Sequence, residues 1–94
     1  TVNTPELRLE MEEGEQHQLI RELADSADFP GANVTKIDGV RVDYDDGFGL
    51  ARASNTTPMV IFRFEADNTK ALQRIQKEFR TRIRVLRSDL PLPY

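Results

Sequence analysis

Val34-Thr-Lys-Ile-Asp-Gly-Val-Arg-Val-Asp-Tyr44, Phe48-Gly-Leu-Ala-Arg-Ala53 and Met59-Val-Ile-Phe-Arg-Phe-Glu65 lie close together in the middle of the chain. Val34–Ile37 and Val40–Tyr44 flank Asp38-Gly39, a dipeptide that favours the tight turn of a hairpin. Val40, Val42 and Tyr44 point one way and Arg41 and Asp43 the other, the two-residue period of a half-buried strand. Asp45-Asp46-Gly47 makes a second turn into Phe48–Ala53. Met59–Glu65 is the strongest strand, with Val60, Phe62 and Phe64 on one face. A strand meander follows from this order.

Outward from the meander the period changes. Leu7, Leu9 and Met11 alternate with Arg8, Glu10 and Glu12 as a further strand, and Pro5 keeps Thr4 extended, as in an arriving linker. Gly14–Ala27 reads as a helix whose Leu19, Ile20, Leu23, Ala24 and Ala27 share one face, ended by Phe29-Pro30-Gly31. On the C-terminal side Asp67 or Asn68 caps a long helix with a buried stripe of Leu72, Ile75, Phe79, Ile83 and Leu86. Pro91 and Pro93 hold the tail extended. The expected fold is α+β: an antiparallel sheet of about four main strands with two helices on one face.

Ninety-four residues predict a single domain over 1–94, burying roughly 60–65% of its unfolded surface. Cysteine is absent, which removes disulfides and thiolate zinc sites, and His17 is the only histidine. No apolar run is long enough to span a membrane and no signal-peptide pattern opens the chain. A cytoplasmic location is therefore expected, with no membrane partner, and the sequons at Asn33 and Asn55 carry no meaning there. Thr1 in place of an initiator methionine suggests a processed or excised piece.

The net charge of −3 is unevenly spread. Eight acids stand in residues 1–30 against Arg8 and Arg21, and seven bases in residues 67–87 against Asp67 and Glu78. The basic segment 68–87 supports a rival function, a nucleic-acid or protein-interaction module. No aromatic residue outside the buried stripe interleaves with its bases to stack on nucleotides, so the outer face of an amphipathic helix is preferred and no nucleic-acid partner is expected.

Arg52-Ala-Ser-Asn-Thr-Thr-Pro58 carries the functional signal. Read alone, it also fits an ordinary turn, since Ser, Asn, Thr and Pro all favour turns. It is nevertheless richer in donors than a connection requires. Arg52 would clamp two phosphate oxygens bidentately, where lysine offers only a point charge. Ser54, Asn55 and Thr56 would add side-chain donors, with Thr57 a weaker candidate, and exposed N–H groups of the bend would form a nest for the anion. Pro58 fixes the exit. Arg63 lies on the strand face opposite Val60, Phe62 and Phe64; it either reaches the same anion or pairs with Asp43 or Glu65.

Between the flanks Asp38–Leu50 and Met59–Ala66, this run resembles the phosphate-binding loop of the α-D-phosphohexomutases, most closely the bacterial phosphomannomutase/phosphoglucomutase branch. The resemblance covers nearly the whole chain but only the C-terminal, fourth domain of such an enzyme. It implies a TATA-box-binding-protein-like fold, without any implication of DNA. It assigns substrate phosphate to Arg52, Ser54, Asn55 and Thr56. Glycine usually replaces Asn55 in the related phosphoglucosamine mutases, so Asn55 favours the hexose branch. The implied partners are glucose and mannose 1- or 6-phosphates, the 1,6-bisphosphate and the remaining domains of the parent enzyme. Family members move a phosphoryl group between O1 and O6 of a hexose through a phosphoserine, with Mg2+ held on another domain. Their Thr-x-Ser-His-Asn-Pro-like, Asp-Gly-Asp-Gly-Asp and Glu-x-Ser-Gly-His-like loops do not occur here. No catalytic residue, metal ligand or cofactor is thus expected in this chain, and the domain alone is expected to be inactive.

Two other patterns yield no site. Asp43-Tyr-Asp-Asp-Gly47 falls short of a calcium loop, because its glycine comes one residue early and Ser54 stands where the closing glutamate belongs. It reads as a turn. His17 lies near Ile20 and Ala24 at the margin of the first helix's apolar face, and the glutamates of 10–15 form an acidic helix start.

Overall fold

The computed structural model describes residues 1–26 and 28–94. Six strands, β1 (Val2–Asn3), β2 (Leu7–Glu10), β3 (Asn33–Thr35), β4 (Val40–Tyr44), β5 (Gly47–Ala53) and β6 (Met59–Ala66), accompany two helices, α1 (Glu15–Asp25) and α2 (Thr69–Leu86). All the pairings are antiparallel, and β6, β5, β4 and β3 lie side by side in reverse chain order. β1 and β2 both pair with the outer edge of β6. The expected α+β architecture is present, including the strand expected around Leu7 and Leu9, here β2, and the short β1 is added beside it at the edge.

That edge is one strand interrupted by a bulge. Asn3 pairs with Glu65 and Leu7 with Phe62, so Thr4, Pro5 and Glu6 oppose only Phe64 and Arg63. Pro5, which has no N–H to offer, sits where the ladder is already broken. Thr4 bridges the gap: its N–H donates to Phe64 O at 2.9 Å, and its hydroxyl accepts the Phe64 N–H at 3.2 Å. The segment expected as a linker is thereby stitched to the sheet.

Alternation sends Leu9, Val40, Val42, Ala51, Val60, Phe62 and Phe64 to one face, where Leu19 and Leu23 of α1 and Ile75, Phe79 and Ile83 of α2 cover them. α2 starts at Asn68, whose Oδ1 accepts the Ala71 N–H at 2.8 Å, the capping bond expected of this residue. Phe79 is buried and meets Phe64 edge-on, with ring centroids 5.3 Å apart. Gly49 makes that approach possible: a Cβ there would come within 2.4 Å of the Phe79 ring. Ala71 takes the innermost place at the start of the stripe, while Leu72 and Leu86 lie half-buried at its margins. α1 ends at Asp25, and the expected extension of its apolar face to Ala27 lies outside the described residues.

Two details depart from expectation. β3 stops at Thr35, and Ile37 is 84% exposed, because the connection to β4 is longer than a two-residue turn. Asp38 and Gly39 both have left-handed φ, +53° and +110°, so they form the bend itself. Secondly, the tail does more than extend. Tyr94 packs on Phe62 and Phe64 at 5.2 and 4.8 Å, and burial holds its hydroxyl well above the ordinary tyrosine pKa.

Candidate functional site: a donor-rich loop at the end of the sheet

Alternation along β5 buries Ala51 and turns Arg52 to the helix-free face of the sheet. Arg52 pairs with Ile61 of β6, and Ile61 pairs in turn with Arg8 of β2. In the next row Arg41, Leu50 and Arg63 stand on adjacent strands. Arg63 is therefore a diagonal neighbour of Arg52, a separation that long side chains span. Arg63 forms no ion pair among the described residues. Asp43, one of its two expected partners, is taken by Arg41 at 3.0 Å. Arg41 also lies over the Phe48 ring at 4.1 Å.

Glu6 is the feature that sequence reasoning missed. Its two carboxylate oxygens lie 3.9 Å from Arg52 Nη2 and 3.7 Å from Arg8 Nη2. Both distances are too long for good hydrogen bonds, but both are within ion-pair range. An anion approaching Arg52 thus meets a carboxylate already beside it. Nothing local signals this, since 46 residues of chain separate the partners.

Beyond Arg52 the loop closes through the Ser54 N–H, which donates to Met59 O at 2.9 Å. Ser54 Oγ is its hub: the N–H groups of Thr56 and Thr57 each donate to it at 3.3 Å. The hydroxyls of Thr56 and Thr57 stand 3.3 and 3.1 Å from the same oxygen. Two N–H groups of the expected nest are therefore turned inward on long bonds. Asn55, Thr56 and Thr57 are exposed and Ser54 is half-buried. The loop holds its own shape with weak bonds and presents its side chains to solvent.

Its carbonyls are held from behind. The Met11 N–H donates to Pro58 O at 2.8 Å, and the Met59 N–H to Thr57 O at 2.8 Å. Gln16 of α1 is buried, 3% exposed, and its Nε2 lies 3.5 Å from Ser54 O and 3.4 Å from Thr57 O. A signal for Gln16 was present in the sequence: it continues the stripe of Leu19 and Leu23, where an apolar residue would be expected.

The remaining candidates are occupied elsewhere. Asp45 and Asp46 form the β4–β5 turn, and Arg74 binds Asp46 at 2.6 and 2.7 Å. The Arg74 hydrogen bonds hold the Asp46 carboxyl below its ordinary range. No group of three or more His, Cys, Asp or Glu is placed to hold a metal among the described residues, and these acids do not converge on one. His17 is half-buried on α1, as expected of a margin residue. Several bases of α2 and its C-terminus are also engaged. Arg82 donates to Asp28 O at 2.6 Å and covers the Phe29 ring, and Arg80 lies over Tyr94. Arg87 binds Glu22 and approaches Glu15 at 3.6 Å, tying α2 to α1.

Comparison with known proteins places the chain in a family. A family profile described as "Phosphoglucomutase/phosphomannomutase, C-terminal domain" matches residues 6–82. A phosphomannomutase/phosphoglucomutase of Pseudomonas putida is 46% identical over 93 residues, covering 99% of this chain and 20% of the relative. A phosphoglucomutase of Neisseria meningitidis is 52% identical over 82 residues, covering 85% of this chain and 18% of the relative. The chain thus spans about a fifth of the length of these curated relatives. A crystal structure of a phosphoglucomutase/phosphomannomutase family protein from Burkholderia thailandensis superposes with a TM-score of 0.87 at 49% identity, covering 99% of this chain and 19% of that one.

Proposed function

The chain belongs to the phosphoglucomutase/phosphomannomutase family as its C-terminal domain, and on that premise we propose that the Arg52–Pro58 loop grips the phosphate of a hexose phosphate at the end remote from the reacting group. The observation that carries this reading is the division of labour within the loop. Its Ser54, Thr57 and Pro58 carbonyls are bonded from the β2–α1 side, while Asn55, Thr56 and Thr57 are exposed in the loop that follows the exposed Arg52 at the end of β5.

Arg52 clamps two phosphate oxygens, and Asn55 and Thr56 donate to the others. Ser54 and Thr57 contribute hydroxyls released from their mutual contacts. The long Thr56 and Thr57 N–H bonds to Ser54 Oγ are the ones an anion can take over most cheaply. Arg63 adds charge from the neighbouring strand. In the parent protein this grip spends remote binding energy on positioning the reacting hydroxyl during 1-/6-phosphoryl transfer. The phosphoryl donor and Mg2+ belong to parts of the parent outside this chain, so the chain alone binds without turnover. A cytoplasmic setting fits this role, and no helix among the described residues is long and apolar enough to cross a membrane.

Amide NMR titration of the chain with glucose 1-phosphate, mannose 1-phosphate and a short oligonucleotide tests the proposal. Both sugar phosphates should shift the amides of residues 52–58, with a dissociation constant on the order of millimolar for one guanidinium and a few neutral donors. A loop that stays silent at tens of millimolar sugar phosphate, by that same scale, would discard the proposal. Salt-sensitive oligonucleotide shifts confined to α2 would support the polyanion module instead.

A further inference from the structure

We infer that Gln16 is a positioning residue for the anion-binding loop. Its amide holds the Ser54 and Thr57 carbonyls toward the protein interior, so that the donors between them face outward. The inference rests on the phosphate-gripping reading and extends it to a residue of α1 that approaches no ligand.

The argument begins with burial. Gln16 is 3% exposed in the stripe that contains Leu19 and Leu23, among side chains that pack by shape alone. Its Oε1 has no hydrogen-bond partner among the described residues and is buried. An unpaired buried carbonyl is costly, and a methionine of similar length would fill the position without that cost. As packing, therefore, glutamine is a poor choice here. What the amide supplies is its NH2 group, which carries two hydrogens, and two carbonyls of the loop lie 3.4 and 3.5 Å from that nitrogen. Carbonyl oxygens accept only, so this arrangement also fixes which way round the amide sits.

Ser54 and Thr57 bracket Asn55 and Thr56. Both Gln16 bonds are long, and the Thr57 carbonyl also accepts the Met59 N–H at 2.8 Å, so the restraint Gln16 adds falls mainly on the Ser54 carbonyl and limits how the peptide units after it can rotate. An unrestrained bend could turn a carbonyl toward the anion, where its dipole would repel the phosphate. The Met11 N–H does the same for Pro58 O at 2.8 Å, so the segment from the end of β2 into α1 backs the loop at three carbonyls. Gln16 is the member of this backing whose contribution comes from a side chain and can therefore be removed.

The test compares the chain with Gln16→Met and Arg52→Ala by glucose 1-phosphate titration and thermal unfolding. Gln16→Met removes the donors and the unpaired oxygen together. Its unfolding midpoint should stay level or rise, while affinity falls about three- to tenfold, the range of one or two modest hydrogen bonds. Opposite signs for stability and affinity are not what a purely structural residue gives; a parallel loss of both would overturn the inference. If Gln16→Met binds normally and Arg52→Ala does not, the loop grips phosphate without help from Gln16. If neither variant loses affinity, the phosphate-gripping reading itself fails. Should Gln16→Met not fold, the unmodified chain decides: glucose 1-phosphate should move the side-chain amide signals of Gln16 and leave those of Gln18, Gln73 and Gln76 in place. Immobile Gln16 signals would count against the inference.

Discussion

β5 is entered through one polar connection and left through another, and the two use their polar atoms in opposite ways. The entering turn, Asp45-Asp46, spends them inside the fold. Arg74 takes both carboxylate oxygens of Asp46, and the Asp46 carbonyl accepts the Asp67 N–H at 2.8 Å. The leaving loop, Ser54–Pro58, ties three carbonyls and the Ser54 N–H to its surroundings and keeps its side chains out of those bonds. Its hydroxyls contact one another at 3.1–3.3 Å, and its carboxamide faces solvent. Composition alone would rank the acidic turn as the stronger ligand site. A polar group marks a binding site when its bonding capacity is still available, and here Asp46 has little left to offer.

The largest expected break in this contrast is Asn55→Asp, which keeps shape and places a carboxylate among the donors. Two unit charges about 4 Å apart at an effective dielectric of about 20 repel by about 4 kcal/mol, and solvent exposure reduces this to about 2 kcal/mol. A loss of that size, about thirtyfold or more, takes a millimolar site beyond detection. Glucose 1-phosphate should then produce no loop shifts while the amide dispersion of the fold persists. Unchanged binding would remove Asn55 from the phosphate. Arg52→Ala comes next: loss of a charge-assisted bidentate contact should weaken the same titration about tenfold.

Glu6→Gln should act in the opposite direction. It removes the carboxylate beside Arg52 and Arg8 but keeps the side-chain length. Exposed ion pairs are weak, so affinity should improve only about two- to threefold, and less at high salt. Weaker binding in this variant would show that Glu6 orders Arg52 instead of competing for it.

The smallest effect belongs to the acidic turn. Asp46→Asn should leave sugar-phosphate titration untouched and slightly lower the unfolding midpoint near neutral pH. Because Arg74 holds the Asp46 carboxyl below its ordinary 3.8, that stabilisation is complete above this value and is lost as pH falls through the lowered folded pKa. The gap between variant and unmodified midpoints should therefore close in acid. A gap that stays constant from neutral to strongly acidic pH would assign it to something other than the Arg74 pair.

Periodicity made β4, β6 and α2 legible because their side chains answer to one neighbour layer each. Val60, Phe62 and Phe64 mark the core face without ambiguity, and Asn68 announces the helix start. The loop's donors were legible for a related reason, since chemistry is written in residue type. What stayed hidden depends on contacts distant along the chain. Val2–Asn3 is too short to signal a strand until Ala66 and Glu65 lie beside it. Glu6 meets Arg52 only once β2 has joined β6, and Tyr94 finds Phe62 and Phe64 only after α2 has turned the chain back. Gln16 was visible as a mismatch in an apolar stripe, but a mismatch has no meaning until its partners are known.

The bulge at Thr4–Glu6 makes the spacing of the N-terminal edge behave like a parity bit. Upstream of it Val2 lies opposite the buried Ala66, and downstream Leu7 and Leu9 lie opposite the buried Phe62 and Val60. The odd spacing of Val2 and Leu7 is what the bulge absorbs: deleting a single residue between Asn3 and Leu7 would leave two residues opposite Phe64 and Arg63, so the edge would become regular strand and both groups would keep their face. An alignment that opens a one-residue gap here is therefore describing the same edge without its bulge, with Val2, Leu7 and Leu9 still turned toward the helices. Gaps of two would be tolerated far less well than single ones, because Val2 and Leu7 would then stand on opposite faces, and the phase set by this short segment fixes on which side of the sheet Arg8 arrives.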